Sequence, residues 1–445
     1  MAGPMKLLHV PYTFYPDPVG GTEIYVHGLA REQQRLGDSV IVAAPKEQDV
    51  AYRHDGLMVR RFAVNPNVND PRELYGDGDP HAAAAFARIL DEERPDVVHL
   101  HAFTRAVSLR LLREAKRRDI PVVFSYHTPT VSCQRGSLMR WGSEICDGVL
   151  DVRACARCTL HGHGIAKPAS ALAGSLPPAV GHLLATIGAS GGLWTALRMT
   201  ELVELRHAAF HALMREAEHV VALCQWVRNV LLRNGVPSEK VTVSRQGTRQ
   251  EIAARADRTP SPTLRIAFLG RLDPAKGVHL LIQALRGDPE LPVCLDIFGV
   301  AQGDADRSYA KRLANLASGD PRIALRAPIP NEQVVKRLQE YDALAVPSQW
   351  LETGPIVVLE AFAAGIPVVG TNLGSIAELV EHGVNGLLVE PGSAHAWAEA
   401  LRRLSQDPDL IATLRSGIRP PRTMNDAAIE LKAVYRQVSQ EALVV

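Results

Sequence analysis

The chain has 445 residues, 46% of them apolar, which is enough for two domains with cores of their own. Lys plus Arg number 49 against 48 Asp plus Glu, and this balance argues against a nucleic-acid partner held by a basic face. The first residues lead straight into a strand pattern without the long apolar stretch of a secretory signal, so a cytoplasmic protein is expected.

Short strand-like runs at 6–10, 39–43, 97–101 and 122–125 alternate with helical patterns at 23–36 and 82–93. That alternation predicts a parallel sheet flanked by helices. After the first strand comes a glycine turn, Asp17-Pro-Val-Gly20-Gly21-Thr22-Glu23, opening a helix. It lacks the Gly-x-Gly-x-x-Gly spacing. The second strand ends Ala43-Ala44-Pro45, where a nicotinamide enzyme would carry a ribose-binding acid, so a dinucleotide site is a poor fit. The turn admits either a sugar or phosphate, or merely a close approach of helix to strand. Further on, Arg110, Arg113, Lys116, Arg117 and Arg118 load one helix with positive charge, either as a solvated face or as an attraction to anionic lipid.

Four of the six cysteines, Cys133, Cys146, Cys155 and Cys158, crowd into a polar loop that ends in Cys-x-x-Cys. Reduced thiolates in such a loop suit a structural zinc, with a redox pair or unlinked thiols as the alternatives. His161 and His163 read as ordinary loop histidines. Cys224 and Cys294 sit in apolar strand patterns and read as core. Between 167 and 198 the only titratable side chain is His182, and Pro177-Pro178 and Gly191-Gly192 interrupt the run, which disfavours a single spanning helix. Two apolar helices are expected there, serving as a core extension, a greasy acceptor site or a shallow peripheral membrane contact.

The strand and helix alternation resumes at 265–269, 293–298, 323–325, 343–346 and 368–370. The resulting domains are 1–252, carrying the cysteine loop at 133–158 and the apolar insertion at 165–206; a linker at 253–263; 264–422; and a C-terminal helix at 423–445 that packs back on the first domain. In doubly wound sheets ligands sit outside the carboxyl ends of the strands, and two such halves predict a cleft. In the second half a strand ends in Gly270-Arg271-Leu-Asp-Pro-Ala-Lys276-Gly277, where Arg offers a planar fork, Lys a compact charge, and the glycines a close backbone approach. This suits a diphosphate. Past the strand at 343–346 stand Glu352 and Glu360, astride Gly354-Pro355-Ile356-Val357, with Pro355 expected at the first helical position and the amides of Ile356 and Val357 facing an anion.

These elements together resemble the retaining glycosyltransferases of glycosyltransferase family 4, in a subset with a four-cysteine loop, along almost the whole chain. Glu352 and Glu360 match that family's Glu-x7-Glu pair, Gly270-Arg271 and Lys276-Gly277 its diphosphate motif, and Gly20-Gly21 its N-terminal turn. His127, in Ser-Tyr-His-Thr-Pro, matches the family histidine that faces the donor sugar, and Gly365-Ile-Pro-Val-Val and Gly374-Ser-Ile-Ala-Glu378 also follow the pattern. Two departures stand out: Glu352-Thr-Gly-Pro355 replaces a common Glu-Gly-Phe-Gly, and Gln246-Gly247 replaces Asn-Gly.

The resemblance implies a GT-B fold of two Rossmann-like domains and transfer of a sugar from a nucleotide diphosphate sugar with retention. UDP is favoured over GDP-mannose, and the acceptor is a glycolipid, a polysaccharide or another glycan, lipid-linked or at a surface. Arg271 and Lys276 would neutralise the leaving diphosphate, Glu352 would hold sugar hydroxyls, Glu360 the ribose, and His127 the sugar. No catalytic metal is expected, since the Asp-x-Asp triplets at Asp77, Asp304 and Asp407 read as polar turns. A non-catalytic sugar-nucleotide-binding or scaffold protein, and a sugar-nucleotide epimerase on the same fold, are the alternatives.

Overall fold

The structure is a computed structural model, and it describes residues 3–67, 70–189, 191–249 and 263–442. The expected linker falls almost wholly outside the described residues. The chain divides into two compact units, Met1–Arg245 with Asn425–Val445, and Gln246–Met424.

The first unit is built on β1 (Lys6–Val10), β2 (Ser39–Lys46), β3 (Val50–His54), β4 (Leu57–Ala63), β5 (Val97–Leu100), β6 (Val122–Tyr126), a small hairpin of β7 (Met139–Arg140) and β8 (Glu144–Ile145), β9 (His219–Ala222) and β10 (Val241–Val243). Apart from the hairpin these form one sheet in the order β10-β9-β6-β5-β1-β2-β4-β3, parallel throughout except for the antiparallel edge pair β3 and β4. The central strands β5 and β6 are buried along their whole length, as helix-covered parallel strands must be. Crossover helices such as Gly21–Arg35 and Pro80–Glu93 supply the reach that parallel neighbours require. The order reverses between β1 and β5, and there His9 stands in register opposite His99.

The C-terminal helix Met424–Ala442 belongs with this unit. Its Tyr435 is fully buried, and Lys432 forms an ion pair of 2.9 Å with Asp38 and donates to the Leu36 carbonyl at 3.0 Å.

The second unit carries β11 (Leu264–Arg271), β12 (Val293–Val300), β13 (Ile323–Arg326), β14 (Ala343–Val346), β15 (Val368–Thr371) and β16 (Gly386–Val389), in the order β13-β12-β11-β14-β15-β16. Every pairing is parallel. The core holds Ile266, Leu285, Leu295 and Leu313 around the fully buried Trp397. Here the order reverses between β11 and β14, so the carboxyl ends of those two strands frame the crevice where ligands of doubly wound sheets bind. Among the described residues no helix is long and apolar enough to cross a membrane.

Candidate functional site

At the crevice of the second unit, Asp273 accepts from the Ala275 N–H at 2.8 Å and caps the short turn Pro274–Lys276. Gly277 ends that turn at φ +70°, and a Cβ there would lie 2.0 Å from the Pro347 carbonyl oxygen, so no other residue fits. The turn is thereby pressed onto the chain leaving β14. Lys276 Nζ lies 2.5 Å from Glu352 Oε1, and the same oxygen accepts from Ser348 Oγ and Trp350 Nε1, each at 2.7 Å. Glu352 is buried. Burial pushes its carboxyl up, but the Lys276 charge and the hydrogen bonds from Lys276, Ser348 and Trp350 outweigh that and hold it below the usual range. A Cβ on Gly374, at φ +52°, would lie 2.9 Å from the Glu352 backbone, and Ser375 N–H donates to the Glu352 carbonyl at 2.9 Å.

Arg271 is arranged differently. Its side chain is half-exposed, with Nη2 2.8 Å from Asp273 and Nε 3.9 Å from Asp306. Asp304 and Asp306 lie in the first turn of helix Asp304–Ala317, not in the polar turn that the sequence suggested; Gly303, whose extended backbone starts the helix, leaves both acids near its positive end.

Helix Ile356–Ala363 starts one residue later than expected, so Pro355 is its N-cap and not its first helical residue. The extended ψ of 95° at Pro355 excludes it from the helix. Val358 N–H turns back to the Pro355 carbonyl at 3.0 Å, and the amides of Ile356 and Val357 precede it in the turn whose donors lack intrahelical acceptors. Gly354 packs against Gln246, whose Oε1 would lie 2.6 Å from a Cβ at that glycine. Glu360 is buried one turn into the helix.

In the first unit, Gly20 caps helix Gly21–Arg35, and its N–H donates to Glu23 Oε2 at 2.9 Å. A Cβ on Gly21 would meet nothing within 4 Å, which overturns the reading of this turn as a close helix-to-strand approach. His127 follows β6, with Nε2 2.9 Å from His101 Nδ1 and its ring 5.3 Å from that of Tyr25. Burial lowers its pKa to about 3. His101 in turn reaches His9, and the His99 ring lies tilted against both, a set that sequence reasoning missed. The available signal was His99 and His101 at strand spacing, on one face of β5 and its extension.

A model of the glycosyl transferase 4-like domain matches residues 20–247, and one of glycosyl transferases group 1 matches 250–419. The chain belongs to the glycosyltransferase 4-like family. It is 26% identical over 438 residues to D-inositol 3-phosphate glycosyltransferase 1 of Catenulispora acidiphila, spanning 94% of this chain and 90% of that protein. To the amylovoran biosynthesis glycosyltransferase AmsK of Erwinia amylovora it is 27% identical over 303 residues, 61% of this chain and 72% of the relative. Among solved structures, a glycosyltransferase from Rickettsia africae aligns with a TM-score of 0.63 at 16% identity, over 98% of this chain and 99% of the other. Anabaena Alr3699/HepE in complex with UDP-glucose aligns with a TM-score of 0.61 at 18% identity, over 99% of this chain and 100% of the other. These likenesses concern the fold, and the fold is GT-B.

Three further features of this glycosyltransferase bear on the sequence reading. Cys155 and Cys158 lie on helix Val152–Gly162, one turn apart, and not in a loop, because Asp151 caps the helix by accepting from Ala154 N–H at 2.6 Å. Burial raises the Cys155 thiol to about 12, with Cys133, Cys146 and Cys158 adding to the rise, but no three of the four sulfurs lie within 4.8 Å of one another. The apolar insertion forms three short helices, Lys167–Ala173, Pro178–Thr186 and Gly192–Leu197, and the start of helix Met199–Glu216; Ile165, Ala173 and Ala196 pack against a buried cluster of Ala156, Leu160, Met199 and Val203, while Leu172, Leu183, Ile187 and Leu193 are each about two-thirds exposed or more. The cations of the basic helix are largely paired, Arg113 with Glu216 at 2.9 Å, Lys116 with Glu218 at 2.6 Å and Arg118 with Asp91 at 2.7 Å, so they present no unopposed basic face.

Burial lifts the Glu360 carboxyl to about 7, against the opposing charge of Arg249. A carboxyl that holds its proton more tightly when folded loses stability as pH rises from the ordinary carboxylate range to about 7, and the loss levels off above that. Glu360→Gln cannot ionise and should lack this slope. Urea unfolding between about pH 5 and 8 should therefore show the variant gaining about 3 kcal/mol on the native enzyme; parallel pH profiles would contradict the burial argument.

Proposed function

We propose that the enzyme transfers a hexose, with retention of anomeric configuration, from a nucleoside diphosphate sugar, UDP-linked, to a lipid-linked or surface-polysaccharide glycan. The observation that carries this reading is the buried Glu352 carboxylate, clamped by Lys276 beside the start of helix Ile356–Ala363 at the crevice of the second sheet.

Each group then has a chemical task. The pyrophosphate lies on Lys276, Arg271 and the amides of Ile356 and Val357, where two cations and a helix N-terminus oppose the charge that grows as the glycosidic bond breaks. Glu352 accepts from sugar hydroxyls beside Lys276, Ser348 and Trp350, which hold its carboxylate in place. Glu360 accepts from the ribose hydroxyls, Gly20 and Gly21 leave room for the sugar, and His127 meets the sugar as it transfers. The departing phosphate takes the acceptor's proton on the same face.

UDP is supported by the complex of Alr3699/HepE with UDP-glucose. The exposed apolar residues of the insertion favour an acceptor that is presented at a lipid surface.

Cys133, Cys146, Cys155 and Cys158, the last two a turn apart on helix Val152–Gly162, are the residue types a structural zinc prefers, and their sulfurs would have to draw together to hold it. It would pin the hairpin of β7 and β8 to helix Val152–Gly162.

Turnover of UDP-sugars with a lipid-linked acceptor in vesicles tests the transfer. Arg271→Ala should raise the barrier by about 2–4 kcal/mol, and Leu183→Ser with Ile187→Ser should raise KM for the vesicle-borne acceptor alone. Undiminished turnover in Arg271→Ala rejects the diphosphate assignment, and an unchanged KM rejects the lipid surface. Elemental analysis of the reduced, purified enzyme should find zinc near one per chain, lost in Cys155→Ser; a metal-free native sample rejects the zinc.

A further inference from the structure

A line of buried groups runs through the first unit at the reversal point of its sheet. His127 Nε2 lies 2.9 Å from His101 Nδ1, His101 Nε2 lies 2.8 Å from His9 Nδ1, and His9 Nε2 lies 2.7 Å from Gln33 Oε1. A branch leaves the same glutamine: Gln33 Nε2 reaches the Tyr435 hydroxyl at 3.4 Å, which lies 2.7 Å from His99 Nδ1, while His99 Nε2 lies 2.7 Å from Ser125 Oγ. All of these side chains are 5% exposed or less.

The geometry points to Gln33 as a positioning residue that fixes, through His9 and His101, which ring nitrogen of His127 carries the proton. The inference rests on the proposed role of His127 toward the sugar.

Burial lowers the pKa of all four histidines, His9 to about 4 and His127 to about 3, so each ring is neutral near pH 7 and carries one N–H. A neutral ring that donates from one nitrogen must accept at the other. The carbonyl oxygen of Gln33 can only accept, so His9 donates from Nε2 and accepts at Nδ1 from His101 Nε2–H. His101 then accepts at Nδ1 from His127 Nε2–H. His127 is left with an unprotonated Nδ1, which accepts a hydrogen bond from a sugar hydroxyl and cannot donate one.

The structure sets the Gln33 amide with Oε1 on His9 Nε2 and Nε2 on the Tyr435 hydroxyl. With the oxygen on His9, the amide N–H₂ faces Tyr435, whose hydroxyl donates to His99 Nδ1, and His99 Nε2–H donates to Ser125. One glutamine thus orders both branches.

The donor atoms of His9, His99 and His101 lie within 4.8 Å of one another, a spacing that a metal could also exploit. The ordered protons argue against it: the 2.8 Å between His9 and His101 is a hydrogen bond, and both nitrogens of His99 are engaged by hydroxyls.

Long-range proton–nitrogen NMR of the full-length enzyme, labelled at histidine nitrogen, tests the assignment. The native protein should show His127 protonated at Nε2 only, its signals identified by their loss in His127→Asn. Gln33→Leu, similar in size and apolar, should mix the two His127 tautomers and lower turnover roughly tenfold or more. Gln33→Glu keeps an acceptor for His9 and should restore both the single tautomer and most of the turnover. A native His127 protonated at Nδ1, an unaltered tautomer in Gln33→Leu, or metal bound at one per chain and lost in His9→Asn would each overturn the relay. A tautomer that scrambles in Gln33→Leu with turnover unchanged upholds the relay and removes His127 from the reaction.

Discussion

A carboxylate can stay charged in a buried place only if cations and hydrogen-bond donors replace the water it gives up. Glu352 meets that demand with one lysine and two neutral donors on a single oxygen. The constraint propagates outward: Lys276 must leave its turn in one direction, the turn must press against Pro347, and only glycine at 277 allows that approach. Gly374 completes the enclosure from the side of β15. Removing one partner of such a pair leaves the other uncompensated, which in buried settings costs about 3–5 kcal/mol. The site is therefore part of how the second unit holds its loops, and a ligand finds its charges already in place.

Both units use their sheets in the same way. In each, the chain reverses its order at a central pair of strands, and the chemically distinctive residues gather at the carboxyl ends there. The second unit places cations and a carboxylate at that point; the first places neutral histidines whose protons are ordered by hydrogen bonds. The difference matches what each is proposed to meet, a polyanion in one case and sugar hydroxyls in the other.

Much of this was legible because buried parallel strands read as unbroken apolar runs: β1, β6, β11 and β14 are plain in the sequence. The edge strand β3 and its neighbour β4 were not, since Arg60 and Arg61 interrupt β4 and only the fold shows Arg61 buried against Asp17. The Glu pair and the Lys-Gly turn were visible from type and spacing, whereas the carboxylate's partners Ser348 and Trp350 depended on how the loop folds back. Pro355 was misplaced by one residue, a distinction that depends on a backbone angle. The histidine network was least visible of all, because Gln33, His9, His101, His127 and Tyr435 come from five separated segments, and Tyr435 lies 336 positions from the His99 it touches. Side chains that meet only through topology leave no local pattern.

The grip on a pyrophosphate by the second unit is the claim on which the functional reading stands, and a crystal structure of the enzyme with UDP bound tests it most directly. The account predicts phosphate oxygens on Arg271, on Lys276 and on the amides of Ile356 and Val357, with the ribose hydroxyls on Glu360. Ordered nucleotide bound elsewhere, with Arg271 and Lys276 turned to solvent, would contradict it.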